Sequence, residues 1–133
     1  MGERVKMYKE LIIITFVILL IVGIDIITGN YTRDSVQIMS SKLNELRGYI
    51  LEENKEEATN KMQAIKENWE ERYKVLAFYI EHDELEKVEI ELTELSAFLS
   101  VMEYDECICN IDSTIFILEH IQEKEEFHLR SIF

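Results

Sequence analysis

The chain has 133 residues, four glycines and no proline, with 47% apolar residues, 31% charged residues and a formal net charge of -13. That length holds one membrane segment and one small domain, whose single core needs no disulfide or metal staple. A surface of this sign repels phosphate backbones and anionic lipid headgroups, which argues against nucleic-acid binding and against a peripheral lipid-binding role and favours cations or a basic partner.

From Leu11 to Ile27 the sequence LIIITFVILLIVGIDII is almost unbroken apolar. At ~1.5 Å per residue it is roughly 26 Å long, a little short of a ~30 Å hydrocarbon core, and Met7 and Tyr8 supply the missing turn. Residues 11–28 therefore read as a transmembrane helix preceded by a short tail, residues 1–10. Arg4, Lys6 and Lys9 precede the run, whereas only Arg33 follows it closely. The positive-inside rule then puts the tail in the cytoplasm and the body outside the cell membrane. A cleaved signal peptide shares the basic start and apolar core, but Ile24 to Asn30 offers a peptidase no pair of small residues at the right spacing. An uncleaved signal anchor is the favoured reading. Asp25, near the outer end of the span, must snorkel to the headgroups or meet another membrane protein.

Beyond the span, residues 34–133 read as an all-α extracytoplasmic bundle. Gly29 suits a helix C-terminus, and Asp34 with Gln37 reads as a capping box opening a helix over about 35–52, striped by Val36, Met39, Leu43, Leu46 and Ile50. Asn54 with Glu57 caps a second helix, about 55–81, whose face carries Ala58, Met62, Ile65, Trp69, Tyr73, Leu76 and Ile80. Asp83 with Glu86 caps a third, about 84–102, with Leu85, Val88, Leu92, Leu95, Leu99 and Met102. Asp105 opens a fourth, about 105–126, with Ile108, Ile111, Ile115, Leu118 and Ile121, and the tail 127–133 is expected to dock through Leu129, Ile132 and Phe133. Short connections make consecutive helices antiparallel, so the body is an antiparallel four-helix bundle or two stacked helical hairpins. The corner at His82 and the region of His120 then return to the membrane-proximal end.

Chemistry is sparse. His82 and Glu84 at the corner and His120 and Glu123 on the last helix are the candidate cation ligands, but the Glu-x-x-His pairs of di-iron bundles do not occur, and caps and surface charge explain the same residues. Neither a metal nor a cofactor is expected. Cys107 and Cys109 point to different sides of a helix, which disfavours a bond between them; at least one is a buried filler, and a disulfide between chains is the other reading. Trp69 reads as a core anchor. No phosphate loop or nucleophile motif is present, so an enzyme is not expected.

Trp69, YIEHDELEKV from Tyr79 to Val88, the leucines of the third helix, LEHI from Leu118 to Ile121 with Glu125, and LRSIF at the C-terminus together resemble a bacterial family of small single-pass membrane proteins, domain of unknown function 4363, found largely in spore-forming Firmicutes. Glu86 and Ser131 depart from that pattern while keeping charge or polarity. The resemblance implies no activity. It does imply a membrane partner, because members are often encoded beside multi-span membrane proteins. The expected function is a non-enzymatic, membrane-anchored interaction module that meets its partner through Asp25, Leu129, Ile132 and Phe133, with homo-oligomerisation open. The alternative is a cation- or small-ligand-sensing bundle.

Overall fold

The computed structural model describes residues 2–132, the side chain of Ile132 excepted. Four helices follow one another, α1 (Gly2–Leu51), α2 (Lys55–Leu76), α3 (His82–Ser100) and α4 (Tyr104–Ile132), with no strand among the described residues. Each helix turns back on the one before it. α1 packs on α2 and α4, and α3 packs on α4 and, less extensively, on α2, so the four close into an antiparallel bundle.

The stripes read from the sequence form the core. Val36, Met39, Leu43, Leu46 and Ile50 of α1 are buried against Ala58, Met62, Ile65, Trp69 and Leu76 of α2 and Leu85, Val88, Leu92, Leu95 and Leu99 of α3. On α4 the buried face lies slightly off the expected line. Cys107, Asn110, Ile111, Thr114, Leu118 and Ile121 are inside, while Ile108 and Ile115 are only half-buried. Two polar residues on that face find partners. Asn110 Nδ2 donates to Glu91 at 2.8 Å and Glu94 at 3.2 Å, and the Thr114 hydroxyl donates to the Asn110 carbonyl at 2.6 Å, which removes the penalty of burying them.

The largest departure from expectation is the start of the bundle. Gly29 does not end a helix and Asp34 does not begin one; α1 runs unbroken through both. A single helical glycine costs only ~1 kcal/mol, and packing recovers it: a Cβ on Gly29 would sit 2.9 Å from Leu129 Cδ1, so the bare backbone lets α4 approach. The Asp34 carboxylate, free of any capping duty, accepts from Arg72 of α2 at 3.1 Å. Arg72 also stacks 5.2 Å from the Tyr31 ring centre.

Other boundaries follow their local chemistry. Asn54 caps α2 as expected, its side chain accepting from the Glu57 N–H at 3.3 Å. α2 stops at Leu76, before the expected end near residue 81, and residues 77–80 form the turn into α3. Asp83 is not a cap; Glu81 holds that position without a side-chain bond, and Asp83 lies inside the first turn of α3. The turns closing α1 and α3 contain no glycine. Glu53 (φ 56) and Met102 (φ 60) adopt the left-handed conformation, and Asn54 N–H to Tyr49 O and Glu103 N–H to Phe98 O, both 2.9 Å, complete Schellman-type ends. Met102, expected in the α3 stripe, is therefore exposed in the turn. The segment expected as a separate docked tail instead continues α4 as helix to Ile132.

A left-handed non-glycine residue carries strain of roughly 1–2 kcal/mol, part of which glycine returns through its floppier unfolded state. Glu53→Gly and Met102→Gly should each raise stability by up to about 1 kcal/mol, whereas Leu43→Ala in the sealed core should cost about 2–5 kcal/mol. Thermal melts of the full chain in detergent, followed by circular dichroism, measure both.

Candidate interaction surface at the apolar end of the bundle

α1 divides into two halves with different surroundings. From Val5 to Ile21 its apolar side chains are exposed on every side, whereas from Thr32 onward one face is sealed in the core. It is the one helix among the described residues long and apolar enough to cross a membrane, a property that a membrane anchor and a signal sequence share.

The junction between the halves is where the rest of the bundle meets α1. The α2–α3 turn is tied down by Tyr79, whose hydroxyl lies 3.1 Å from the Thr28 carbonyl and 2.7 Å from Thr32 Oγ1, while Thr32 Oγ1 is itself 2.9 Å from that carbonyl. Two hydroxyl protons serve three close oxygens, so one hydroxyl donates to the carbonyl and the other donates to its neighbour. Burial holds the Tyr79 hydroxyl above the ordinary phenol range, with the Thr32 hydrogen bond pulling it down and Glu125 adding to the rise, so it remains a donor at neutral pH.

α4 arrives at the same level. Arg47 pairs with Asp112, Arg33 lies 3.6 Å from Glu126, and Leu129 packs on Gly29, an even antiparallel register that brings the last turn of α4 beside the end of the apolar run. Ile26, Gly29, Asn30, Glu125 and Leu129 share a cleft of about 210 Å³. Of the expected interaction residues, Asp25 and Leu129 are thus at this junction. The side chain of Ile132 and the whole of Phe133 lie outside the described residues. One oxygen of Asp25, Oδ2, is shielded from water without a hydrogen-bond partner among the described residues.

A second cleft of about 300 Å³ opens beside the corner between α3 and α4, lined by Tyr79, Ile80, Glu84, Lys124, Glu125 and His128 among others. Glu84 is buried; its Oε1 is 3.8 Å from Lys124 Nζ and 3.7 Å from Lys87 Nζ, and its Oε2 has no hydrogen-bond partner among the described residues. Lys124 also reaches Glu81 at 3.4 Å, so α3 and α4 do face each other here as their antiparallel order demands. Glu125 is pushed above the ordinary carboxylate range, first by burial, with His128 opposing the rise and Asp25 adding to it.

The four candidate cation ligands are not assembled. His82 turns toward the Tyr73 hydroxyl, 3.4 Å from Nδ1; Glu84 is taken by the two lysines; and His120 and Glu123 are exposed on α4. No group of three potential ligands converges among the described residues. Cys107 is buried, its thiol pushed up to about 11 by burial with Glu106 and Glu103 contributing, and Cys109 is exposed. Trp69 is a core residue, edge-on to Tyr73 with ring centres 6.2 Å apart.

Sequence reasoning places the corner at this end but does not single out the residues that shape it. Tyr79 reads there as one letter of a motif, and its tie to α1 depends on Thr28 and Thr32 being helical. Phe78, 90% exposed beside it, lies between Leu76 and Ile80 of the expected α2 stripe but off its apolar face, so periodicity gives it no role.

Fold and junction together define an all-α bundle built on a long, half-apolar N-terminal helix. The family described as Domain of unknown function (DUF4363) matches residues 26–132, and the chain belongs to it. No curated protein and no solved structure matches the chain.

Glu125 supplies a test of the junction electrostatics. Its raised affinity for a proton in the fold favours the folded state at low pH, and this contribution is lost as pH rises through the raised value. Glu125→Gln should therefore melt higher than wild type at pH 7, and the difference should vanish as pH falls below the ordinary carboxylate range near ~4. Melting temperatures of the two proteins across that range decide it.

Proposed function

We propose that the protein is a non-enzymatic, membrane-anchored interaction module that acts with a multi-span membrane protein. In this reading α1 crosses the cell membrane with its N-terminus in the cytoplasm, and the bundle stands outside. The observation that carries it is the continuity of α1. The helix that buries Val36 to Ile50 in the bundle is the same one that exposes Leu11 to Ile21 on all sides, so an anchored bundle is held rigidly, without a flexible linker.

A rigid presentation suits a protein whose task is to hold a surface against a neighbour in the membrane. Asp25 supports the same reading, because a carboxylate oxygen shielded from water at the rim of the apolar run is stabilised by a donor from outside the chain. The chemistry of the rest fits a binding role better than a catalytic one. The buried thiol of Cys107 is held protonated, and in the cleft beside the corner Glu84 is paired with Lys124 while the Ser131 hydroxyl donates to the Phe127 carbonyl.

The second reading is a cation- or small-ligand-sensing bundle, favoured by one observation, the unpartnered Glu84 oxygen in the wall of the cleft beside the corner. Calorimetry of the purified full chain with Ca²⁺, Mg²⁺, Mn²⁺ and Zn²⁺ separates the two readings, since the interaction module gives no binding heat and no thermal shift.

Crosslinking in native membranes followed by pull-down in mild detergent should recover a multi-span protein with the wild-type chain. Asp25→Leu should reduce that recovery about tenfold, the consequence of losing roughly 1.4 kcal/mol of contact energy. Recovery of the chain alone, or equal recovery with the variant, contradicts the proposal or the role of Asp25 respectively.

A further inference from the structure

Three phenylalanines of the bundle, Phe78, Phe116 and Phe127, are largely exposed, and the place of Phe78 sets it apart. It is the most exposed large apolar residue among the described ones, at 90%, and it stands in the turn that caps the bundle at the end facing the apolar half of α1. Two independent registers fix its height. The ion pairs Lys61 with Glu45 and Arg72 with Asp34 are eleven residues apart on both helices, so the last residue of α2, Leu76, comes level with about Asn30 of α1, and Phe78 lies beyond it. Tyr79 marks the same level directly, its hydroxyl lying 3.1 Å from the Thr28 carbonyl. The apolar run ends at Ile27, so Phe78 stands within roughly 5 Å of the end of the segment that would fill the hydrocarbon core. The polar layer of a bilayer is itself roughly 5–7 Å deep on each side.

The geometry points to a lipid contact: the α2–α3 corner is a membrane-interface foot, in which Phe78 inserts among the headgroups and upper acyl chains of the leaflet that α1 emerges from. The inference rests on α1 spanning a membrane. An aromatic ring left in water at this height is the costly alternative, and burial of such a ring in the interface is favourable without any charge pairing. That resolves the conflict with the acidic surface. Charge opposes capture of the bundle by an anionic membrane from solution, but a tethered bundle is already there, and the foot contact is apolar. Tyr79 behind it, bonded to α1, prevents the corner from swinging away. With α1 as one support and the corner as a second, the bundle is fixed in tilt as well as in height. The cleft beside the corner, between Tyr79, Glu84, Lys124 and His128, would open at the lipid surface.

Phe116 supplies an internal control. It is also an exposed phenylalanine, but the pairing of Arg47 with Asp112 places it well up the bundle, roughly 20 Å above the corner. The full chain is reconstituted into phosphatidylcholine vesicles carrying bromine on the acyl chains, as wild type, Phe78→Trp and Phe116→Trp. Trp69, buried in the core, gives the common background. Bromolipid quenching of the added fluorescence should be at least about twofold stronger for Phe78→Trp than for Phe116→Trp, and unchanged between low and high salt. Three results overturn the inference while leaving the anchor intact: vesicle-associated protein whose Phe78→Trp emission is water-like and unquenched; emission that is blue-shifted but unquenched, which means that protein and not lipid covers the site; or equal quenching at both positions, which means that the bundle lies on its side. Failure of the wild-type chain to float with the vesicles or to resist alkaline extraction instead overturns the anchor, and the foot with it.

Discussion

The structure depends on α1 remaining a single helix across the place where its surroundings change. Residues 2–21 are exposed on every side, and from Thr32 onward one face of α1 forms a wall of the core. A break at Gly29 would make these an anchor and a domain joined by a hinge. The unbroken helix makes them one lever, and the side chains around the junction explain why it holds. The Thr28 hydroxyl bonds back to the Asp25 carbonyl, the hydroxyls of Thr32 and Tyr79 gather over the Thr28 carbonyl, and Leu129 fills the space left by the missing Cβ of Gly29. Contacts from α4 and the α2–α3 turn thus offset the weak propensity of the TGN stretch.

Much of the bundle was legible because its stripes are regular. Every apolar residue assigned to the core-facing side of α1 and α3 is buried except Met102, since spacings of three and four leave little choice of face. The Asn54 cap was equally readable, because its bond to Glu57 is local. What could not be read were features decided by distant groups. Gly29 followed by Asp34 has the letters of a helix end and a helix start, yet Leu129 and Arg72, about 100 and 38 residues away in sequence, determine what those positions do. Conversely the true left-handed positions, Glu53 and Met102, carry no glycine to announce them. The chain accepts strain there and uses none of its four glycines for it.

The candidate surface was legible only in outline. Antiparallel order correctly brings the corner and the end of α4 to the same end of the bundle, and Lys124 bridging to Glu81 and Glu84 is the direct expression of that order. The histidines drew attention for their chemistry, but imidazoles at a helix start and on an outer face are held by neighbours such as Tyr73 or by solvent. The residues that shape the end are a tyrosine and a phenylalanine in a turn. Their role follows from height along α1, which depends on the register of three helices and not on a local pattern.

That register is the final constraint worth following. α2 and α4 run in the same direction, and each is pinned to α1 by ion pairs and by packing between positions far apart in sequence. Exposed ion pairs contribute little to stability singly, and their value here is geometric. A slip of one turn in either helix would move its end by roughly 5 Å along α1, a distance comparable to the depth of the headgroup layer proposed to hold the corner. The buried faces forbid such a slip, because it would turn Leu43, Leu85 and Ile111 away from their partners. Core packing therefore sets the height, relative to the apolar run of α1, at which the protein presents Asp25, Tyr79 and Phe78, and in the proposed reading that constant height is what a neighbour in the membrane would recognise.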